Sequence, residues 1–294
     1  MTWRLTGSLD DFLMTAHAHL LADPVRNTVL LTVLDTLRHS GTTVYGSEAP
    51  LFGWHEPSPG GVDGAFLQTP PFPVLAANLP ARSTESLIDI LAFNGRKPAS
   101  INLAGPDEAD FTRAWTEATG TGASVYMRSR LFRLAGLLPP EPLPPGAARV
   151  AGQSDFDLLV NWSVAFGAET GAARAENPGF TVADKLSHGG LMLWEVESMP
   201  VAMAGLTRNV AGVVRVAAVY TPPEQRRRGY GGSITTAVSQ AALDYGADEV
   251  VLFTDQANPT SNALYQRLGY RPIEDRVVLD LDVTSDQPTS SEQS

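Results

Sequence analysis

The chain has no cysteine among its 294 residues, which excludes disulfides, thiolate metal sites and a thiol nucleophile. Bases are the minority, 21 against 32 acids, for a net charge of −11. A nucleic-acid binder carries a basic field, and none exists overall, so no nucleic-acid partner is expected. The acidity agrees with a cationic or amine-bearing partner, and equally with plain solubility. No run of about 18 apolar residues occurs, and the opening MTWRLTGSLDD has no apolar signal segment. A soluble, cytoplasmic protein with no membrane partner is therefore expected. Two nucleotide motifs are missing, G-x-x-x-x-G-K-[ST] and G-x-G-x-x-G, so neither a P-loop nor a Rossmann fingerprint is present. Histidines are few and scattered: His17, His19, His39, His55 and His188. His17 and His19 would point to different faces of a helix, so no metal is expected. No Ser/His/Asp arrangement stands out.

What is present is an ordinary globular composition, 43% hydrophobic and 18% charged, in a length that favours two domains at ~100–200 residues each. The clearest punctuation is LPPEPLPPG, residues 138–146. Its five prolines admit neither helix nor central strand, and it reads as a stiff linker. The boundaries that follow are 1–137, linker 138–146, 147–284, and a polar tail 285–294 expected to be disordered. In the second half, strands are predicted at 149–151, 191–197, 201–206, 213–220 and 250–254, with a last one through Val277, Leu279 and Leu281. Helices are predicted at 155–166, with Phe156, Leu159, Val160 and Val164 buried, and at 181–187. A further helix follows the glycines near 231, with the stripe Ile234, Ala237, Val238, Ala241, Ala242 and Tyr245 and Gly246 as its left-handed stop. Asn258-Pro259 opens a short helix that ends at Gly269. The first half has helices at 10–21, 25–38, 84–93 and 108–119, and strands at 51–54, 64–68, 74–78 and 100–103. Its strand–loop–helix–Gly order at 100–120 repeats that of 251–269. The fold expected is α/β, an α+β mixed sheet, in two tandem related units.

The chemistry concentrates in VYTPPEQRRRGYGGSI, residues 219–234. A strand ends, a glycine-rich turn follows, and a helix begins. Helix N-termini offer unpaired N–H groups and the positive end of a dipole, and glycines let the backbone approach an anion. Read alone, the three arginines are a solvated charge run sooner than a site; with Gly229, Gly231 and the helix they read as a phosphate site. Arg226-Arg227-Arg228-Gly229-Tyr230-Gly231 resembles the R/Q-x-x-G-x-G/A signature of the GNAT superfamily of acyl-CoA-dependent N-acyltransferases. NPTSNALYQRLGY, 258–270, resembles a second element of that family. The likeness covers about 148–282, and the whole chain resembles tandem members whose N-terminal unit is degenerate.

The resemblance implies two GNAT-like units and an N-acetyltransferase that moves acetyl from acetyl-CoA to a primary amine in a ternary complex. Backbone N–H groups from Arg227, Arg228, Gly229, Tyr230, Gly231 and Gly232 would hold the pyrophosphate, with Ser233, and with arginines of 226–228 near the 3′-phosphate. Val219, Tyr220 and Thr221 would border the pantetheine arm, and Asn258, Ser261 and Asn262 would lie near it. Tyr265 would protonate the departing thiolate; its ordinary pKa of ~10 keeps the proton in place at pH 7. Tyr265 is otherwise a core tyrosine, and Asn258 is otherwise a helix cap. The strand at 213–219 has no carboxylate for a base. The base is then absent, supplied through water, or drawn from elsewhere; among Glu195, Glu169, Glu224 and Asp255, Glu195 is the candidate. In the first half, LPARSTES at 79–86 has no glycine where the cradle would lie, so no CoA site is expected there. A small-molecule amine is the expected acceptor, with a protein acceptor the alternative. An acyl-CoA-binding module without turnover, or transfer of a longer acyl group or to a hydroxyl, are the rival readings.

Overall fold

The computed structural model describes residues 2–80, 83–93, 98–171 and 177–282; the tail expected at 285–294 lies outside them. Eight helices and twelve strands alternate along these residues. The first half runs β1 (Thr2–Thr6), α1 (Leu9–Leu21), α2 (Thr28–Ser40), β2 (Leu51–Glu56), β3 (Gly64–Gln68), β4 (Val74–Ala77), α3 (Thr84–Phe93), β5 (Ser100–Ala104), α4 (Glu108–Thr119) and β6 (Ala123–Leu134). The second runs β7 (Ala147–Val150), α5 (Phe156–Thr170), α6 (Pro178–Ser187), β8 (Leu191–Val196), β9 (Met199–Leu206), β10 (Val213–Tyr220), α7 (Tyr230–Asp244), β11 (Glu249–Asp255), α8 (Pro259–Arg267) and β12 (Tyr270–Leu281). The mixed α/β class is as the sequence predicts.

All twelve strands join one sheet, ordered β1-β2-β3-β4-β5-β12-β6-β11-β10-β9-β8-β7. The two halves exchange their last strands. β12 pairs antiparallel with β5 of the first half, and β6 pairs antiparallel with β11 of the second. β6 and β12 pair with each other between them. The centre is the rung Arg130↔Asp275, flanked by Leu131↔Glu274 and Ser129↔Arg276. The Arg130 guanidinium clasps Asp275 bidentately at 2.6 and 3.0 Å. That fork holds the Asp275 carboxyl below the usual carboxylate range.

The exchange rests on a strand that the sequence reading missed. ASVYMRSRLFRL, β6, alternates Val125, Met127 and Leu131 with polar residues, a half-buried strand pattern. The four charged or hydroxyl positions in its middle dilute it. β12 likewise starts at Tyr270 rather than near Val277. Its first residues are Arg271, Pro272, Glu274 and Asp275, poor strand formers held by the pairing to β6.

One core lies under α7, whose Ile234, Val238 and Ala242 pack with Val214, Val216, Val250 and Leu252 of the strands. A second binds α5 and α6 to the other side through Leu159, Val182, Leu193, Met203 and Tyr220. Two predicted core positions are corrected. Val164 is 54% exposed, because the α5 stripe continues through Trp162 and Phe166 instead. Tyr245 is 74% exposed, because α7 ends at Asp244 and the chain turns away through Gly246 at φ 81°. The proline segment runs from β6 to β7 past the start of α7, tied by the Trp194 indole donating to the Pro145 carbonyl (3.0 Å). At Gly269 (φ 97°) a Cβ would lie 1.7 Å from the Gly136 carbonyl, so only glycine lets β12 leave α8 beneath it.

Candidate active site

β10 runs parallel to β11 for four rungs, Val213↔Glu249 to Val216↔Leu252. Its ladder to β9 then shifts register between Ala217 and Tyr220, where Ala218 takes φ 50°. A bulge of this kind bends its strand. β10 swings away while Phe253, Thr254 and Asp255 stay paired to β6. The two strands thus open into a wedge, with the backbone of Val219, Tyr220 and Thr221 along one side.

Beyond the wedge a short turn, Pro223–Gln225, leads to Arg227 at φ 61° and Gly229 at φ 86°. These left-handed residues aim the chain into α7. Among the described residues, the backbone N–H groups of Arg227, Arg228, Gly229, Tyr230 and Gly231 make no hydrogen bond. Those of Gly232 and Ser233 turn back to the Gly229 carbonyl, both at 3.1 Å. The Ser233 hydroxyl faces the same carbonyl at 3.4 Å and is buried. Five N–H groups at a helix start, with exposed Arg227, Arg228 and Gly229 around them, suit a multiply charged anion.

The arginines divide. Arg226 donates to both Glu169 oxygens (2.8 and 2.6 Å) and to the Thr221 carbonyl (2.9 Å), and it lies 5.9 Å over the Tyr220 ring. It braces the turn against the end of α5. Arg227 and Arg228 form no ion pair among the described residues.

α8 closes the far side. Asn258 caps it, its Oδ1 accepting from the Ser261 N–H at 3.0 Å. Asn262 donates its amide to the carbonyls of Asp255 (2.9 Å) and Asn258 (2.7 Å), and its Oδ1 is buried with no partner. A buried acceptor left without a donor costs about 1–3 kcal/mol, so this oxygen is set for an N–H that the chain does not provide. Tyr265 lies in the α7 core with its ring 6.2 Å from that of Tyr270. Burial pushes its phenol up to about 12. Leu264 of the same helix sits beside Gly232, 3.3 Å from where a Cβ would stand.

Glu195 lies elsewhere. It is on β8, two strands from β10, and is ion-paired to Arg149 at 2.7 Å. Arg149 also forks onto Asp155 (2.7 and 2.8 Å), which holds that carboxyl below its usual range.

The first half has a wedge of the same kind, differently filled. β4 pairs parallel with β5 only at Val74↔Ile101 and Leu75↔Asn102, and Asn78 then takes φ 46°. Arg276 of the exchanged strand β12 enters that gap. It donates Nε to Asn102 Oδ1 (2.9 Å) and Nη2 to the Ala76 carbonyl (2.9 Å), and it pairs with Glu274 (3.2 Å). It is 7% exposed. Of the segment matching the cradle, Ala81 and Arg82 lie outside the described residues. Ser83 is fully buried, and its carbonyl accepts from the Trp3 indole (3.0 Å).

Residues 159–270 match the acetyltransferase (GNAT) family. No curated protein matches the chain in sequence. Solved structures show the likeness of fold. A GCN5-related N-acetyltransferase from Kribbella flavida is 24% identical, over 74% of this chain and 86% of its own, with TM-score 0.53. One from Sphaerobacter thermophilus is 14% identical over 94% of each chain, with TM-score 0.61. A GNAT-family acetyltransferase from Colwellia psychrerythraea is 12% identical, over 96% of this chain and 99% of its own, with TM-score 0.59. The last two extend over both halves. Among the described residues, no helix is long and apolar enough to cross a membrane.

Proposed function

We propose, from the match of residues 159–270 to the acetyltransferase (GNAT) family, that the protein transfers acetyl from acetyl-CoA to a primary amine by direct attack, both substrates bound at once. The observation that carries the reading is the row of five unpaired N–H groups, 227–231, at the start of α7 beside the open wedge. The bound acyl-CoA supplies the activated thioester. The cradle holds its pyrophosphate, and Arg227 and Arg228 stand over the same negative charge. Val219 and Thr221 offer backbone groups along the wedge to the pantetheine arm. Asn262 Oδ1, buried without a donor, accepts from one of the arm's amides.

Tyr265 acts as the acid. Its raised pKa keeps the proton on oxygen across the physiological range. The neutral amine forms the N–C bond, the carbon–sulfur bond breaks, and the phenol gives its proton to sulfur. The proton lost by nitrogen passes to water, from which the phenolate is reprotonated. Holding the amine beside the thioester supplies the larger part of the rate. A chain without cysteine forms no cysteinyl acyl-enzyme on the way.

One observation favours a second reading, a module that binds acyl-CoA and does not turn it over. β10 carries no carboxylate, and Glu195 and Glu169 each hold an arginine. Mixing the protein with acetyl-CoA and a panel of primary amines, while following free thiol, separates the two. Thiol release that depends on an amine is the expected result. Calorimetric binding of CoA with no release for any amine supports the module, and no CoA binding overturns both. Competition by longer acyl-CoA thioesters sets the acyl length.

A further inference from the structure

β6 continues past the end of β11. The last rung is Asp255↔Ser129, and the residues before Ser129 stand beyond it, paired to β12 along one edge and, among the described residues, to no strand along the other. There they form one wall of a cavity of about 360 Å³, opposite the end of α5 and the turn after β11. Tyr126 and Arg128 of β6, Thr170 and Gly171 of α5, and Asp255 and Gln256 line it. Asn258, the cap of α8, lies three residues beyond Asp255, so the cavity adjoins the end of the wedge.

Its walls are fixed from within. The Tyr126 hydroxyl donates to the Gly171 carbonyl, and the Gln256 amide donates to the Ser129 carbonyl at 3.1 Å. Its charge is set by subtraction. Arg128 is bound to Glu108 of α4 through both nitrogens, one at 2.7 Å, so that pair is neutral. Asp255 is exposed, takes one N–H from Ala257 at 2.8 Å on Oδ1, and has no ion pair among the described residues. Of the four acids near the wedge in sequence, Glu169 and Glu195 hold arginines and Glu224 sits on the exposed turn before the cradle. Of these four, and among the described residues, Asp255 brings an uncompensated carboxylate to a cavity.

We propose that Asp255 receives, in this cavity, an ammonium group of the acceptor other than the amine that attacks the thioester, and that the first half of the chain, through the exchanged strand, shapes the acceptor's pocket. The inference rests on the acetyltransferase reading above and narrows its acceptor to a small cationic amine. Asp255 is a specificity-determining residue in this scheme. It anchors the amine through a charge-assisted hydrogen bond.

The Ala257 amide, which donates to Asp255 Oδ1, reports on the site without any turnover. With CoA present, 1,4-diaminobutane is titrated into the ¹⁵N-labelled full chain, and 1,4-butanediol serves as the uncharged counterpart. The diamine should shift the Ala257 and Gln256 amides, and the diol should not. Asp255→Asn keeps an oxygen for the Ala257 N–H and should weaken the diamine about 10-fold or more, with CoA affinity unchanged. Tyr126→Phe, in the other half of the sequence, should also weaken the diamine and spare CoA. Equal shifts from diol and diamine, no shift from either, or a wild-type response in Asp255→Asn would overturn the proposal. Loss of CoA binding by the wild-type chain would instead remove the acetyltransferase reading itself, so the two failures are told apart.

Discussion

The two halves build the same wedge and put different things in it. In the first, β4 and β5 part after two rungs, and the guanidinium of Arg276 bridges the gap between the Ala76 carbonyl and Asn102. In the second, β10 and β11 part after four rungs, and no side chain donates across the gap among the described residues. The helix starts differ in the same sense. Ser83, ahead of α3, and Thr84, its first residue, are buried, with the Ser83 carbonyl taken by the Trp3 indole, whereas Arg227, Arg228 and Gly229, ahead of α7, are exposed. An open wedge leaves backbone groups without partners, which is costly unless a ligand satisfies them. The chain meets that demand from within in one half and, among the described residues, leaves it unmet in the other. The arginine arrives on a strand from the opposite half, so the exchange that shapes one wedge also closes its twin.

The largest expected effect comes from closing the open wedge. Gly229→Asp places a carboxylate among the five free N–H groups, at a left-handed position that Asp tolerates better than most residues. Like charges brought together cost several kcal/mol, so CoA affinity should fall by more than about 100-fold by calorimetry. Thermal unfolding should shift by no more than about 1 kcal/mol allows. Unchanged affinity would remove the pyrophosphate from α7.

The converse change opens the closed wedge. Arg276→Met keeps most of the volume and removes every donor. The Ala76 carbonyl loses its partner, and Glu274 keeps only Arg26 at 3.3 Å. Breaking a buried, hydrogen-bonded ion pair costs about 3–5 kcal/mol, and the remaining Arg26 contact puts the expected loss near the lower end, about 3 kcal/mol in urea. CoA stoichiometry should stay at one per chain, because a buried helix start offers no cradle. A second bound equivalent would mean that Arg276 alone had kept the first half empty.

Much of this contrast was legible in the sequence, and the part that was not has a physical reason. The glycines and the missing glycines distinguish the two helix starts, because a close anion approach needs a residue without a Cβ. Neither the plug nor the exchange could be read. Arg276 is one arginine in an alternating strand, and besides Glu274 its partners are a backbone carbonyl 200 residues away and Asn102. The strand β6 hides behind three consecutive polar residues, Arg128 to Arg130. Its place is fixed by pairing with residues that follow it by about 120 positions, from Arg133↔Val251 to Ser129↔Asp255. Tyr265 shows the opposite case: the motif named it, while its burial and raised pKa needed the packed core.

A smaller effect separates chemistry from binding within the open wedge. Tyr265→Phe removes the proton donor and keeps the ring in the core. We expect kcat to fall about 100-fold, with CoA affinity within about twofold. The phenol carries its proton until pH approaches about 12, so the wild-type rate should show no alkaline decline from this group below about pH 11. Equal turnover in the variant would make Tyr265 a core residue only, and the second wedge would then differ from the first in what it binds and not in what it does.

The smallest effect concerns Asn258, which is both a helix cap and a neighbour of the wedge, and two substitutions separate those roles. Its Oδ1 already accepts from the Ser261 N–H, so only Nδ2 is left to reach a bound cofactor arm. Asn258→Ala removes cap and donor together and should cost about 1 kcal/mol of stability. Asn258→Asp keeps the cap, since Asp and Asn cap equally well, and exchanges the donor for an acceptor. If Asn258 serves the cofactor, Asn258→Asp should unfold like the wild type yet bind CoA several-fold more weakly. If it is only a cap, Asn258→Asp should match the wild type in both measurements. The corresponding position of the first half offers no such separation, because there the polar work at the wedge is done by Asn102 and Arg276 within the sheet itself.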